Sequence, residues 1–274
     1  MPEVFQFDFM QRAFIAGISI GLICPVIGMF IIMRRQSLIG DGLGHIAFAG
    51  VATGWLLGIY PVMSATIFTV AAALGIEELR ARRPAFADMI LAIFFYTGMA
   101  LAVLFSSMSR ANNVNLMSYL FGSIVTVNLL DVQVIVGLAA VVLLVMRHIF
   151  KELVFTTFDE EAAVVSGLPV RKINLVIALL TALTVSISMR IVGVLLVAAL
   201  MIVPVAASLQ ISAGFRNTIV NAVLISEVSV VSGLVGSFYL NLASGGTIVL
   251  SAVFLFILSF GLRQAVLDRY RAAK

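Results

Sequence analysis

Apolar runs bracketed by charges and turn residues recur along the whole chain, at about 13–33, 37–59, 62–79, 88–108, 129–147, 173–189, 191–212, 217–238 and 246–262. Most approach the roughly 20 residues that a helix needs to cross the hydrocarbon core of a bilayer. The runs are continuous rather than alternating in ~10-residue segments, so they predict helices and not a barrel. Two places leave the count open. The run from Val62 is short, and only Arg190 separates the sixth run from the seventh. A re-entrant half-helix in place of one crossing gives eight spans instead of nine. The expected fold is therefore all-α, a polytopic transmembrane helical bundle of eight or nine spans in one domain covering residues 1–274.

Composition agrees with the pattern. Of 274 residues, 62% are hydrophobic and 11% charged, with mean hydropathy +1.17. A soluble globular domain carries about 25% charged residues. Basic residues record the topology. With the N-terminus outside, all but three of the 17 Lys and Arg residues fall in the cytoplasm, the exceptions being Arg12, Arg110 and Arg190. The C-terminus is then cytoplasmic. The densest basic run, Arg80-Ala-Arg82-Arg83, reads as a cytoplasmic loop, and no nucleic-acid partner is expected. Cys24 is the only cysteine, which excludes an internal disulfide and a multi-cysteine zinc cluster within one chain. Met1 to Arg12 lacks the basic n-region of a cleavable signal peptide.

Against this background Asp41 and His45 stand out, in Ser37-Leu-Ile-Gly-Asp41-Gly-Leu-Gly-His45. Ionisable groups at membrane depth cost a few kcal/mol or more and mark functional sites by default. Spacing i, i+4 places both on one helical face. A carboxylate and an imidazole make half of a metal site, and a two-fold homodimer would supply two of each, suiting zinc or, with water, manganese. The bland alternative is an interfacial pair in which Asp41 answers Arg34 or Arg35. Glycines 40, 42, 44, 50, 54 and 58 surround the pair. They fit no phosphate-loop pattern and are read as letting helices, or two protomers, approach closely.

Other polar groups carry weaker signals. The segment Phe158-Asp159-Glu160-Glu161-Ala162…Gly167-Leu-Pro169 predicts a short cytoplasmic helix at about 157–168, its acidic start suiting the helix dipole and Gly167 and Pro169 stopping it. Phe155, Phe158, Val164 and Val165 give it an apolar face suited to a partner's groove. Glu227 is a lone carboxylate in the eighth run, expected to bond Asn221, Ser226 or Ser229. Asp88 opens the fourth run as an N-cap or first-turn residue. The loop 110–130 holds Asn112, Asn113 and Asn115 and an apolar stretch, Leu116 to Phe121, expected to form an interfacial helix. Pro25 and Pro204 are expected to kink their helices. There is no P-loop, H-E-x-x-H or G-x-S-x-G. Any energy source must be an ion gradient or a separate protein.

These residues also resemble a family. Arg34-Arg35-Gln-Ser37-Leu-Ile-Gly40-Asp41-Gly-Leu-Gly-His45 is similar to the motif R-(x)-x-S-L-x-G-D-x-x-x-H of the membrane permeases of bacterial zinc and manganese ABC importers, with Gly42 and Gly44 standing where relatives often carry larger residues or serine. The loop from Phe158 to Pro169 resembles the coupling helix of such permeases. Ser118-Tyr-Leu-Phe-Gly122, Val192-Gly-Val-Leu-Leu-Val197 through Pro204, and Ser244-Gly-Gly-Thr-Ile-Val-Leu250 look alike too. The resemblance implies an ABC importer permease in the bacterial cytoplasmic membrane, with no permanently bound cofactor. Asp41 and His45 would contact the transported zinc or manganese ion. Phe158, Asp159, Glu160, Glu161, Ala162 and Gly167 would transmit motion from the ATPase. The implied partners are a second permease copy, two cytoplasmic ATP-binding subunits and an extracytoplasmic metal-binding protein. ATPase activity would reside in a separate subunit. Zinc is placed ahead of manganese on the two imidazoles of a dimer and on the start Phe7-Asp-Phe-Met-Gln-Arg-Ala-Phe14, which resembles zinc-type members. Two other readings compete: an ion-coupled secondary metal carrier with Glu227 or Asp88 as proton relay, and an intramembrane metalloenzyme using Asp41 and His45.

Overall fold

The computed structural model describes residues 7–108, 118–123, 125 and 127–272, with the side chains of 195, 262 and 264–272 left aside. The described residues are almost wholly helical: α1 (Asp8–Met33), α2 (Leu38–Leu57), α3 (Pro61–Arg82), α4 (Ala87–Met108), α5 (Leu129–His148), α6 (Phe150–Phe158), α7 (Glu160–Val165), α8 (Val170–Val192), α9 (Val194–Ile211), α10 (Phe215–Leu240) and α11 (Ser244–Ala272). Residues 118–121 add one helical turn. Asn112, Asn113, Asn115 and Leu116 of the expected interfacial segment lie outside the described residues.

Over the described residues seven of these helices are long and apolar enough to cross a membrane; α2 falls short, and α9 enters as a shorter apolar stretch, Leu196–Ile211. The expectation of eight or nine spans is thus slightly high by that measure. Polarity separates α2 from the seven. At 20 residues it reaches the ~30 Å hydrocarbon thickness, but Asp41, His45 and its glycines dilute its hydrophobicity. It is sheltered by protein instead, packed against α3 and α4 and touching α8 and α9.

The helices form two groups, α2–α3–α4 and α9–α10–α11, joined by α8 and by the direct contact of α2 with α9, while α1 packs on the second group, on α5 and on α8. In α1 and α8 two thirds of the apolar stretch is buried, against 17% in α4. The core therefore runs along α1 and α8, while α4 presents Met89, Ile93, Tyr96, Met99, Val103 and Leu104 outward. Pro25 and Pro204 lie inside unbroken helices.

Between α8 and α9 the boundary differs from expectation. Arg190 belongs to the last turn of α8, and Gly193 makes the break with φ 94° and ψ 148°. That backbone region is open essentially to glycine alone. Crowding adds a second demand: a Cβ at Gly193 would lie 2.5 Å from the Leu120 carbonyl oxygen and 2.6 Å from the Gly122 nitrogen. Gly245 in turn approaches the Val192 and Phe121 carbonyls. Three stretches far apart in sequence, around Gly122, Gly193 and Gly245, thus meet backbone to backbone at one end of the bundle.

Candidate metal site and coupling segment

Asp41 lies in the first turn of α2 and His45 one turn further on. From Ile39 to Ala52 every residue of α2 is buried except these two, which remain half-buried. Small residues explain the tight packing elsewhere. A Cβ at Gly44 would press on Val194 of α9 at 3.2 Å, and one at Gly98 of α4 would come within 2.7 Å of Ile46. The glycines around the pair serve contacts between helices of this chain, and Gly42 meets Phe95 of α4 only at ordinary van der Waals distance. The His45 ring stands edge-on to Phe95, with centroids 4.9 Å apart and planes at 87°. Neither Asp41 nor His45 has a hydrogen-bond partner among the described residues, and no third His, Cys, Asp or Glu joins them there. A carboxylate and an imidazole thus lie one turn apart on α2, both partly exposed.

Arg34 does not answer Asp41. Its guanidinium donates from Nε to Thr157 Oγ1 (3.1 Å), from Nη2 to Thr156 Oγ1 (2.8 Å) and from Nη1 to Asn174 Oδ1 (2.5 Å). Asn174 passes the connection on, donating to Glu160 Oε1 at 3.2 Å. Burial pulls the Arg34 guanidinium below its ordinary range, while the Glu160 and Glu77 carboxylates pull it back. A cavity of about 620 Å³ opens beside this cluster, bounded by α3, α6, α7 and α8. Sequence reading missed the cluster because its members lie more than 120 positions from Arg34.

The segment expected at about 157–168 is two helices. α6 ends at Phe158, Asp159 turns extended, and α7 occupies only Glu160–Val165. Asp159 caps α7 by accepting from the Ala162 N–H at 2.8 Å. Glu160 and Glu161 fill the first turn, and Gly167 leaves the helix with φ 81°. Ala163 is buried under the segment, whereas Val165 is 88% exposed and Phe158 and Val164 are also exposed. Phe158 packs on Phe215 of α10, which also meets Phe30 of α1 and Phe150 of α6.

The remaining candidates lie apart from the pair. Asp88 is an exposed first-turn residue of α4, not its N-cap. Glu227 does not find the expected partners. Asn221 donates to Ser212, Ser229 donates to the Ile225 carbonyl, and Glu227 Oε1 stays buried without a hydrogen bond among the described residues. It faces Gly21 of α1. At the opposite end of the bundle from α7, Arg190 binds Asp131 of α5 and Tyr60, while Tyr119 stands edge-on to Trp55 at 5.4 Å.

The model of the ABC 3 transport family matches residues 6–263, nearly the whole chain. The chain belongs to the ABC 3 transport family. Within this family it is 37% identical to a "Probable metal transport system membrane protein" of Treponema pallidum (strain Nichols), over 94% of this chain and 97% of that one. It is 30% identical to the "High-affinity zinc uptake system membrane protein ZnuB" of Haemophilus influenzae, covering 94% and 99%. With the "Manganese transport system membrane protein MntC" of Halalkalibacterium halodurans it shares 31%, covering 99% and 94%. The solved structure of PsaBC from Streptococcus pneumoniae in complex with Fab superposes with a TM-score of 0.83 at 29% identity, covering 94% of this chain and 92% of that one. As an ABC 3 chain it is a membrane permease of an ABC transporter, with the helical bundle expected of it.

Proposed function

We propose that this chain is the permease subunit of an ATP-driven importer that carries a divalent transition metal, zinc first and manganese next, into the bacterial cytoplasm. One observation carries the reading: on an α2 otherwise sealed from Ile39 to Ala52, only Asp41 and His45 keep an open surface. Two ligands from one protomer are too few to replace a metal's hydration shell, so a second copy completes the set across a two-fold axis. Relatives named for zinc uptake and for manganese transport support metal as the cargo. They do not choose between the two ions, and affinity rank favours zinc at any such donor set.

The exposed apolar face of α7 docks on one of two cytoplasmic ATP-binding subunits, which hold the ATPase activity. An extracytoplasmic binding protein delivers the ion at the opposite end, and the C-terminus lies in the cytoplasm. Two carboxylates and two neutral imidazoles hold the ion less tightly than a cysteine cage, which suits passage rather than storage.

The test is ATP-dependent uptake of zinc and manganese by the permease–ATPase complex in proteoliposomes, for the native chain and for Asp41→Ala and His45→Ala. Loss of uptake in both variants, with assembly intact, is expected. Unchanged uptake would sink the assignment, and uptake abolished by a protonophore but indifferent to ATP would favour an ion-coupled carrier.

A further inference from the structure

We infer that Arg34 is the positioning residue that carries movement of the α6–α7 segment to the metal-facing helix α2. This rests on the reading of the chain as an ATP-driven permease. Three nitrogens of one guanidinium address two elements directly, Thr156 and Thr157 on α6 and Asn174 on α8, and Asn174 extends the link to Glu160 at the start of α7. Both threonine hydroxyls also donate to the Leu153 carbonyl, so they are held at the α6 end of the link. The same side chain therefore responds to any shift of the segment that receives the ATPase.

On its other side Arg34 has almost no slack. It follows α1 directly, and its N–H bonds the Phe30 carbonyl at 3.1 Å. Arg35 donates to Ile32 and Gln36 to Ile31, the two bonds of a Schellman turn. Arg35 takes the left-handed position, φ 55°, usually given to glycine. Ile39 then bonds Gln36, and α2 begins. A displacement at Arg34 reaches Asp41, seven residues away, through the Schellman turn and the first turn of α2. The cavity of about 620 Å³ bounded by Gln36, Glu77, Arg80 and Glu160 leaves room for the segment to move against this joint. Lysine lacks the fork needed to engage three acceptors in separate directions.

The experiment reads coupling rather than activity alone: ATP hydrolysed per zinc or manganese ion transported by the reconstituted permease–ATPase complex. Arg34→Gln and Arg34→Lys are expected to keep hydrolysis within about twofold while uptake falls tenfold or more. The paired change Thr156→Val with Thr157→Val should uncouple in the same way, and adding Arg34→Gln to it should cost nothing further. Hydrolysis and uptake falling in proportion would reduce Arg34 to a fold-stabilising residue and overturn the inference, as would normal coupling in all variants. If the Arg34 variants fail to assemble, the threonine pair and Asn174→Ala decide by the same ratio. Failure of the native complex to transport either ion under ATP would instead overturn the function proposed above.

Discussion

The His45 imidazole stands edge-on to the Phe95 ring, 4.9 Å between centroids and 87° between planes. This contact crosses from α2 to α4. No hydrogen bond holds either residue of the pair among the described residues, so the Phe95 ring is the contact that limits how the imidazole can turn. An edge-to-face pair contributes about 0.5–1.5 kcal/mol beyond its buried area. Phe95→Leu is expected to lower metal uptake at limiting ion about two- to tenfold, with complex assembly intact, while Phe95→Tyr keeps most of it. Initial uptake rates against ion concentration check this, and a Phe95→Leu rate equal to native would refute it.

The end of the bundle far from α7 is tied by Arg190 and Asp131, 2.6 Å apart with 19% and 9% of their side chains exposed. Asp131 is also half of a capping box with Asn128, so it fixes the start of α5 while gripping the last turn of α8. Removing one partner of a buried pair strands the other charge, at a cost of about 3 kcal/mol. Arg190→Gln alone should lower the melting temperature in detergent clearly, and Asp131→Asn added to it should recover part of the loss. A double variant less stable than either single one would count against the pair.

Much of this fold can be read from residue order, and the failures have physical causes. Long apolar runs mark the helices because length and hydrophobicity alone decide whether a segment crosses a bilayer. The α8–α9 boundary is hard to read because Arg190, a charge, looks like a terminus, while the actual break at Gly193 depends on a φ of 94° that only the fold demands. Asp41 and His45 announce themselves by spacing. Arg34 does not, since its partners sit on α6 and α8 and are neutral, so charge patterning gave no hint of them. For Glu227 the nearest polar groups in sequence lie on its own helix, whereas the helix turns its carboxyl toward Gly21 of α1.

Gly193 permits a sharp prediction. A Cβ there would meet the Leu120 carbonyl oxygen at 2.5 Å and the Gly122 nitrogen at 2.6 Å, both backbone atoms that no rotamer change can move. That backbone conformation, φ 94° and ψ 148°, adds about 1–3 kcal/mol of strain for any L side chain. Gly193→Ala should therefore yield little monodisperse protein on gel filtration in detergent. Gly246→Ala is the control, because its Cβ meets nothing within 4 Å. Native-like yield and melting for Gly193→Ala would show that the backbone meeting at Gly122, Gly193 and Gly245 can relax.

Val165 tests the docking face of α7. It is 88% exposed at the end of a six-residue helix whose buried side is held by Ala163. An exposed apolar residue of this kind contributes little to the fold, and surface changes away from such packing usually fall within about 0.5 kcal/mol. In a partner's groove the same position is desolvated, and a carboxylate there costs several kcal/mol when it finds no partner. Val165→Asp should thus leave the melting temperature of the isolated permease unchanged while the ATP-binding subunit no longer co-purifies. Arg34→Gln provides the contrast, since it should keep the subunit bound and lose only transport. Retention of the subunit by Val165→Asp would place the docking surface elsewhere on the cytoplasmic side.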